Sequence, residues 1–261
     1  MQKMIKFRPW LFAGLAILCT FTAASADTDD VSMQLIGPPP GPVMGGFYTA
    51  PYIAIIGAPG QTGAVGSDIN GVVTDVICDD FQTDVSTETP AWQATVTSLD
   101  TILDEGSTTS QVVQYDTSAT AAQQETDYDV AGYLAVEIFN TNQSTSQGQT
   151  SAEELSFALW AVFDPSSDPN GPLADPYLST AQLSAIEGDL SSAENAVENQ
   201  GWTPSGYNIN IYTPTPLGAS QEYLSVSVAA PEAATPLVLG IDLLGLFAFL
   251  GFARRRAARR I

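Results

Sequence analysis

Positive charge is missing from most of this chain. Its eight lysine and arginine residues all lie in the two terminal segments, and it contains no histidine. Of its 29 acidic residues, all but Glu232 and Asp242 lie between Asp27 and Pro231, a stretch with no Lys, Arg or His. Proteins bind nucleic acids and anionic lipids by neutralising phosphates with lysine and arginine. The acidic stretch is therefore not a nucleic-acid-binding domain.

The absence of histidine excludes several kinds of catalysis. Serine–histidine and cysteine–histidine nucleophiles, and metals held by histidine, all need an imidazole. Carboxylate chemistry remains, such as the acid pair of a glycosidase. The acidic stretch is rich in tryptophan, tyrosine and aliphatic residues, so its composition differs from that of a disordered acidic chain. We expect a folded domain that is not an enzyme.

The first 26 residues have the layout of a secretory signal peptide. A basic start leads into an apolar run at residues 10–21, and the small residues Ala24 and Ala26 form a cleavage site. A membrane span needs roughly 20 apolar residues, so this run is too short for one. We expect export through the Sec translocon and removal by signal peptidase. Cys19 is lost with the signal, so Cys78 has no disulfide partner and the mature chain is not a disulfide scaffold.

Residues 230–261 form a second targeting segment. Pro231 and Glu232 precede an apolar run at residues 237–253, which as a helix reaches about 26 Å, slightly less than a bilayer core. An arginine cluster at residues 254–260 follows, and the positive-inside rule places it in the cytoplasm and the acidic stretch outside. The cluster begins with Arg254, Arg255 and Arg256.

This order of motif, apolar helix and arginine cluster resembles the PEP-CTERM sorting domain. The resemblance covers roughly the last 32 residues, and the family's second proline is Ala233 here. It implies recognition by exosortase, a membrane-embedded cysteine transpeptidase that cleaves near the motif, and a place at the cell surface or in an exopolysaccharide matrix. The alternative is a tail that stays in the inner membrane as a permanent anchor.

The pattern of the middle predicts one α+β extracellular domain of mixed strands and about three helices. A Pro/Gly-rich leader at residues 27–46 precedes the domain at residues 47–229. Aromatic and β-branched runs predict strands, and apolar spacing predicts helices, with the spacing of Ser151 and Glu154 marking the start of the second helix. The predicted strands are 47–56, 71–78, 207–212 and 222–228, and the helices are 127–140, 151–163 and 179–199.

Cys78 is followed directly by Asp79 and Asp80. Acids raise the pKa of a neighbouring thiol, and no cation is available to stabilise a thiolate. We therefore interpret Cys78 as a buried residue at a strand end, in preference to a reactive thiol.

Residues 77–80, taken with Ala158-Leu159-Trp160, resemble the Cys–Gln thioester domains of bacterial surface adhesins. The resemblance implies a related fold. In that family a glutamine just ahead of the Ala-aliphatic-Trp segment bonds to the cysteine. Ser156 stands at that position here and cannot form the bond.

Calcium is the one cofactor that the sequence indicates. Asp164, Asp168, Asn170 and Asp175 surround Gly171, and hard cations prefer oxygen ligands arranged about a sharp turn. The EF-hand spacing is not met, and residues 168–171 also have the composition of an ordinary turn. Screening of the acidic surface by divalent ions is the alternative.

Three functions fit these features. The first is a non-enzymatic structural or adhesive component of the cell envelope or biofilm, with exopolysaccharide as a partner. The second is a protein that binds polysaccharide or hydrolyses it with carboxylates. The third is a calcium-dependent adhesin.

Overall fold

The computed structural model describes residues 29–36, 43–49, 51–64, 67–81, 90–102, 120–164 and 171–229. The described part contains eight strands, four α-helices and a single 3-10 turn at Pro172–Ala174. The strands are β1 (Asp29–Leu35), β2 (Val43–Met44), β3 (Phe47–Tyr48), β4 (Tyr52–Gly57), β5 (Gly71–Cys78), β6 (Trp92–Ser98), β7 (Tyr207–Thr215) and β8 (Tyr223–Val228). The helices are α1 (Leu99–Ile102), α2 (Ala121–Asn140), α3 (Ser146–Phe163) and α4 (Thr180–Gln200).

Six of the strands close into an antiparallel barrel in the order β1-β4-β5-β8-β7-β6, and β6 pairs with β1 to complete it. Side chains alternate between the two faces of a strand, so every second residue points into the barrel. The interior is filled by Met33, Leu35, Ala54, Val76, Cys78, Trp92, Ala94, Tyr212 and Tyr223. The barrel therefore has an apolar core of its own.

A second core lies between the barrel and the helices. Ile77 of β5 lies opposite Leu224 of β8, and both side chains are buried. Helices α2, α3 and α4 pack against one another, and α2 also contacts β8. The end of β5 is therefore buried on both faces, with Cys78 inside the barrel and Ile77 under the helices.

The predicted mixture of strands and helices is confirmed, with four helices where about three were predicted. The predicted strand at residues 47–56 divides into β3 and β4, which belong to different sheets, and two helix starts also differ from the prediction. Helix α3 begins at Ser146 because the Thr145 side chain caps it, accepting a hydrogen bond from the Gly148 amide. The capping spacing at Ser151 therefore lies inside the helix. Helix α2 likewise begins at Ala121, where Thr120 is the cap. At α4 the predicted start is right, because Ser179 forms a complete capping box.

Two barrel strands were not predicted from the sequence. Strand β1 occupies residues assigned to the extended leader, and Met33 and Leu35 point into the barrel. Strand β6 alternates between buried and half-buried residues, and Ala94 lies in the barrel core. Polar residues interrupt both strands, so their pattern is weak until the neighbouring strands are known.

The predicted signal peptide and sorting tail lie outside the described residues. Ala24, Ala26, Pro231, Glu232 and the arginine cluster fall there, so their roles stay predictions. Among the helices that the structure describes, none is long and apolar enough to cross a membrane.

Candidate functional site

Strand β5 ends in a buried turn centred on Cys78. The Cys78 thiol donates a hydrogen bond to the Asp80 carbonyl at 3.0 Å, and the Asp80 amide donates to the sulfur at 3.3 Å. Burial raises the pKa of the thiol well above its usual value, and the nearby Asp79 and Asp80 carboxyls raise it further. Cys78 is therefore a protonated, buried thiol, in agreement with its interpretation as a structural residue.

Helix α3 is tied to this turn by a tryptophan. The Trp160 indole N–H donates a hydrogen bond to the Cys78 carbonyl at 2.9 Å. One turn earlier, the buried Ser156 hydroxyl donates to the Ala152 carbonyl at 2.7 Å. Ser156 carries no carboxamide, so a thioester to Cys78 cannot form from this position.

Beside the turn, two carboxyl groups meet in the protein interior. Asp79 follows β5, Glu222 precedes β8, and both residues have no exposed surface. The Tyr128 hydroxyl donates to Oε1 of Glu222, and the Thr213 hydroxyl donates to Oε2. Because both oxygens of Glu222 accept hydrogen bonds, its ionised form is the stabilised one.

Asp79 is the protonated member of this pair. The hydroxyls that bind Glu222 do not reach Asp79, whose two buried carboxyl oxygens accept no side-chain hydrogen bond from the described residues. Burial raises the pKa of Asp79 well above its usual value, and the charge of Glu222 beside it raises this pKa further. Two carboxyls that are buried side by side cannot both stay ionised, because like charges repel strongly in a desolvated site. We therefore assign one proton to the pair, held on Asp79.

This carboxyl pair does not have the geometry of a glycosidase. The two acids of such an enzyme are about 5 to 9.5 Å apart and flank an open cleft. Asp79 and Glu222 are neighbours across β5 and β8, with the Asp79 amide 3.5 Å from the Glu222 carbonyl, and both are fully buried, so no sugar can lie between them. Their arrangement serves the packing of the barrel end against α2.

An aromatic cluster covers the same end of the barrel. The ring centroids of Phe47 and Phe81 are 4.8 Å apart, and those of Phe81 and Trp160 are 5.4 Å apart. Phe157 lies beneath them, with its centroid 4.9 Å from that of Trp160. Phe47 belongs to a hairpin of β2 and β3 and is 36% exposed, so the cluster reaches the protein surface.

A pocket of about 480 Å³ opens beside this cluster. Gly45 and Gly46 form the turn of the hairpin, and both have positive φ values, as a tight hairpin turn requires. Gly45 also lies so close to Asp175 that a Cβ atom would come within 2.2 Å of Oδ2. The lining residues are Gly45, Gly46, Phe47, Phe81, Gly171, Ala174, Asp175, Pro176 and Tyr177.

The residues proposed for calcium are only partly described. Asp164 is buried at the C-terminal cap of α3, and Asp175 follows the 3-10 turn. Asp168 and Asn170 lie outside the described residues. Within the described ranges, no group of three or more Asp, Glu, His or Cys side chains has the geometry to hold a metal. The pocket, by contrast, had no sequence signal, because its lining comes from three distant segments.

Comparisons with known proteins give structural neighbours only. No protein-family model matches the chain, and no curated protein matches it. The N-terminal thioester domain of a Clostridium perfringens surface protein aligns with a TM-score of 0.42 and 12% identity, over 77% of this chain and 99% of that domain. The corresponding domain of fibronectin-binding protein SfbI from Streptococcus pyogenes has a TM-score of 0.39 and 13% identity, over 81% and 98%.

A third neighbour is the N-terminal domain of the Streptococcus pyogenes pilus tip adhesin Cpa. Its TM-score is 0.42 at 11% identity, over 80% of this chain and 97% of that domain. The two thioester domains belong to the class that the Cys78 and Trp160 segments resemble in sequence. Identities and TM-scores this low assign neither a family nor a function to this chain.

Proposed function

We propose that this chain is an exported, non-enzymatic adhesive component of the cell surface or extracellular matrix. The observation that carries the proposal is the aromatic pocket beside the end of β5, a concave site with a few polar groups. The adhesive contact is non-covalent, because Cys78 is a buried thiol and Ser156 offers no carboxamide. The acidic composition favours a partner that is not an anion.

Adhesion is tested with the exported full chain and the surface polysaccharide of its host. We expect saturable binding without release of reducing sugar, and weaker binding when Tyr177 is replaced by alanine. Leu217→Ala is the matched control, because Leu217 is exposed on a different loop. Polysaccharide that stays unbound in pull-down and calorimetry would oppose an adhesive role in the matrix.

The same proposal includes the route to the surface. The signal peptide directs export, and exosortase recognises Pro231 and Glu232 in the inner membrane and releases the chain from its tail. The test compares the chain in hosts with and without exosortase, by mass spectrometry of the surface fraction. We expect a product that ends near residue 231 only when exosortase is present. An uncleaved tail in both hosts would indicate a permanent anchor.

A carbohydrate-binding role is the second candidate, and the exposed rings of Phe47 and Tyr177 favour it over hydrolysis. Aromatic side chains pack against the apolar faces of sugars, whereas the buried Asp79–Glu222 pair cannot reach one. Release of reducing sugar that one Asp or Glu substitution abolishes would support hydrolysis and oppose the non-enzymatic proposal.

A calcium-dependent adhesin is the third candidate, with Asp164, Asp168, Asn170 and Asp175 as ligands. Calcium bound specifically at these residues raises the melting temperature more than magnesium at equal concentration, and Asp175→Asn removes the difference. Equal effects of both ions indicate screening of the acidic surface.

A further inference from the structure

We propose that the pocket lined by Phe47, Phe81, Asp175 and Tyr177 binds a quaternary ammonium group presented by the adhesive partner. The inference rests on the proposed adhesive function, because it names the chemical class of ligand at the same pocket. It follows from the composition of the lining, from the charge around it and from the hydrogen bonds that the lining can offer.

The lining is aromatic at three points. Phe47 and Phe81 pack against each other on one side, and Tyr177 is 80% exposed. The ring of a tyrosine is largely apolar, and its exposure to water is unfavourable. An exposed tyrosine at the rim of a pocket is therefore typical of a binding surface. Aromatic rings attract cations through their negative faces, and several rings around one cation add their effects.

Charge at the pocket favours the same ligand. Asp175 lines the pocket, and the part of the chain that the structure describes contains no Lys, Arg or His to neutralise it. Its Oδ1 accepts a hydrogen bond from the Tyr177 amide at 2.9 Å, whereas Oδ2 is buried and has no hydrogen-bond partner. A negative group in a partly desolvated site attracts a cation more strongly than it would in water.

The few hydrogen-bonding side chains in the lining favour a quaternary ammonium over a primary one. The only polar side chains in the lining are Asp175 and Tyr177, and Oδ2 of Asp175 is shielded by the close approach of Gly45. A primary ammonium would exchange the water around its N–H groups for a lining with few side-chain acceptors, which costs binding energy. A quaternary ammonium has no N–H or O–H groups on its charged end, so it leaves no hydrogen-bond donor unpaired in such a lining.

The test is calorimetric titration of the exported full chain, in a polyoxyethylene detergent, with tetramethylammonium and choline. Dimethylbutanol, the uncharged isostere of choline with carbon in place of nitrogen, is the matched ligand. We expect it to bind at least about tenfold more weakly than choline. Raising NaCl to about 0.5 M should weaken choline binding but not binding of the isostere.

Variants locate the site. Tyr177→Ala should weaken choline binding about fivefold, while Tyr177→Phe, which keeps the ring, stays within about twofold of the original chain. Asp175→Asn should also weaken it about fivefold. The control for lost charge is Asp68→Asn, because Asp68 is exposed in a loop that does not line the pocket.

The outcomes separate this inference from the proposed function. Equal binding of choline and dimethylbutanol would overturn the inference, as would loss of choline binding in Asp68→Asn to the same extent as in Asp175→Asn. Tyr177-dependent binding of a neutral oligosaccharide without choline binding would also overturn it, yet it would leave the adhesive function in place. Choline binding by a chain that does not adhere to the host matrix would support the inference and oppose the adhesive function.

Discussion

The carboxyl groups of Asp79 and Glu222 are buried side by side in the interior of a domain whose described residues include no cation. Buried acids usually have a basic partner, because an unpaired buried charge is costly. Here the Tyr128 and Thr213 hydroxyls stabilise the ionised Glu222, and a proton on Asp79 removes the second charge. The Tyr128 hydroxyl thus links α2 to the barrel end through Glu222, and the Thr213 hydroxyl holds the same carboxylate from β7.

Because Asp79 carries the proton and Glu222 the negative charge, replacing each by its amide should change the free energy of unfolding in opposite directions. Asp79→Asn should raise the free energy of unfolding at pH 8 by about 1–3 kcal/mol, because the amide donates to Glu222 without first taking up a proton. Glu222→Gln should lower it by about 1–3 kcal/mol, since one of the two hydroxyl donors then faces an NH₂ group. Urea denaturation measures both. Equal effects of the two substitutions would contradict the assignment of the proton to Asp79.

Carboxyl groups whose pKa values are raised by folding, Asp79 and Asp129 among them, should make the domain more stable in mild acid than at neutral pH. A carboxyl whose pKa is raised by folding favours the folded state below its unfolded pKa, and this contribution is lost as the pH rises through the folded value. Burial, followed by Glu125 and Asp100, raises the pKa of Asp129 from 3.8 to about 6. We therefore expect the urea midpoint to fall between about pH 4 and pH 6.

Substitution of Asp129 tests this pH dependence at one residue. Asp129→Asn should raise the free energy of unfolding at pH 7 by about 1 kcal/mol, a value reduced from the full pKa effect because the side chain is only partly buried and is screened by solvent. It should have little effect below the unfolded pKa of 3.8, where the carboxyl is protonated in both states. A urea midpoint that rises from pH 4 to pH 7 in the unsubstituted chain would contradict the expected sign.

The sequence predicts individual elements better than it predicts the barrel. Strand β5 was predicted with its observed bounds, and the capping box at Ser179 placed the start of α4. Closure of the barrel depends on β1 pairing with β6, two strands whose residues are more than 50 positions apart and whose own patterns are weak. Such pairing follows from the whole set of neighbours and not from local propensity.

The candidate site, too, can be predicted from the sequence only in part. The sequence indicates that Cys78 is unreactive, because acids follow it directly and no cation is near in the chain. The contact between Asp79 and Glu222 cannot be predicted from the sequence, because the two residues are 143 positions apart and each is an ordinary acid at a strand end. The pocket at Tyr177 cannot be predicted either, because its lining residues come from separate segments of the chain.

Cys78 should behave as a free but inaccessible thiol. The intact mass of the exported chain should show no loss of ammonia, which a Cys–Gln thioester entails, and hydroxylamine should leave the chain unchanged. Iodoacetamide should alkylate Cys78 rapidly in urea and very slowly in the folded state, because the residue is 1% exposed and burial keeps its pKa high. Fast alkylation of the folded chain would instead indicate a reactive thiol.

Two tryptophans provide a matched measurement of the link between α3 and the end of β5. The Trp160 N–H donates to the Cys78 carbonyl, whereas the buried Trp92 N–H has no hydrogen-bond partner. Phenylalanine at either position removes similar volume, but only Trp160→Phe leaves a buried carbonyl without its donor. We expect Trp160→Phe to lower the free energy of unfolding by about 1–3 kcal/mol more than Trp92→Phe.

The two tryptophan substitutions should also differ in their effect on ligand binding at the pocket. Trp160 contacts Phe81 and Phe47, so a shift of its ring moves two of the aromatic residues that line the site, whereas Trp92 lies inside the barrel. We therefore expect Trp160→Phe, but not Trp92→Phe, to weaken ligand binding under conditions where both variants are folded. Equal unfolding free energies and equal ligand affinities in the two variants would show that the indole hydrogen bond does not position the aromatic wall.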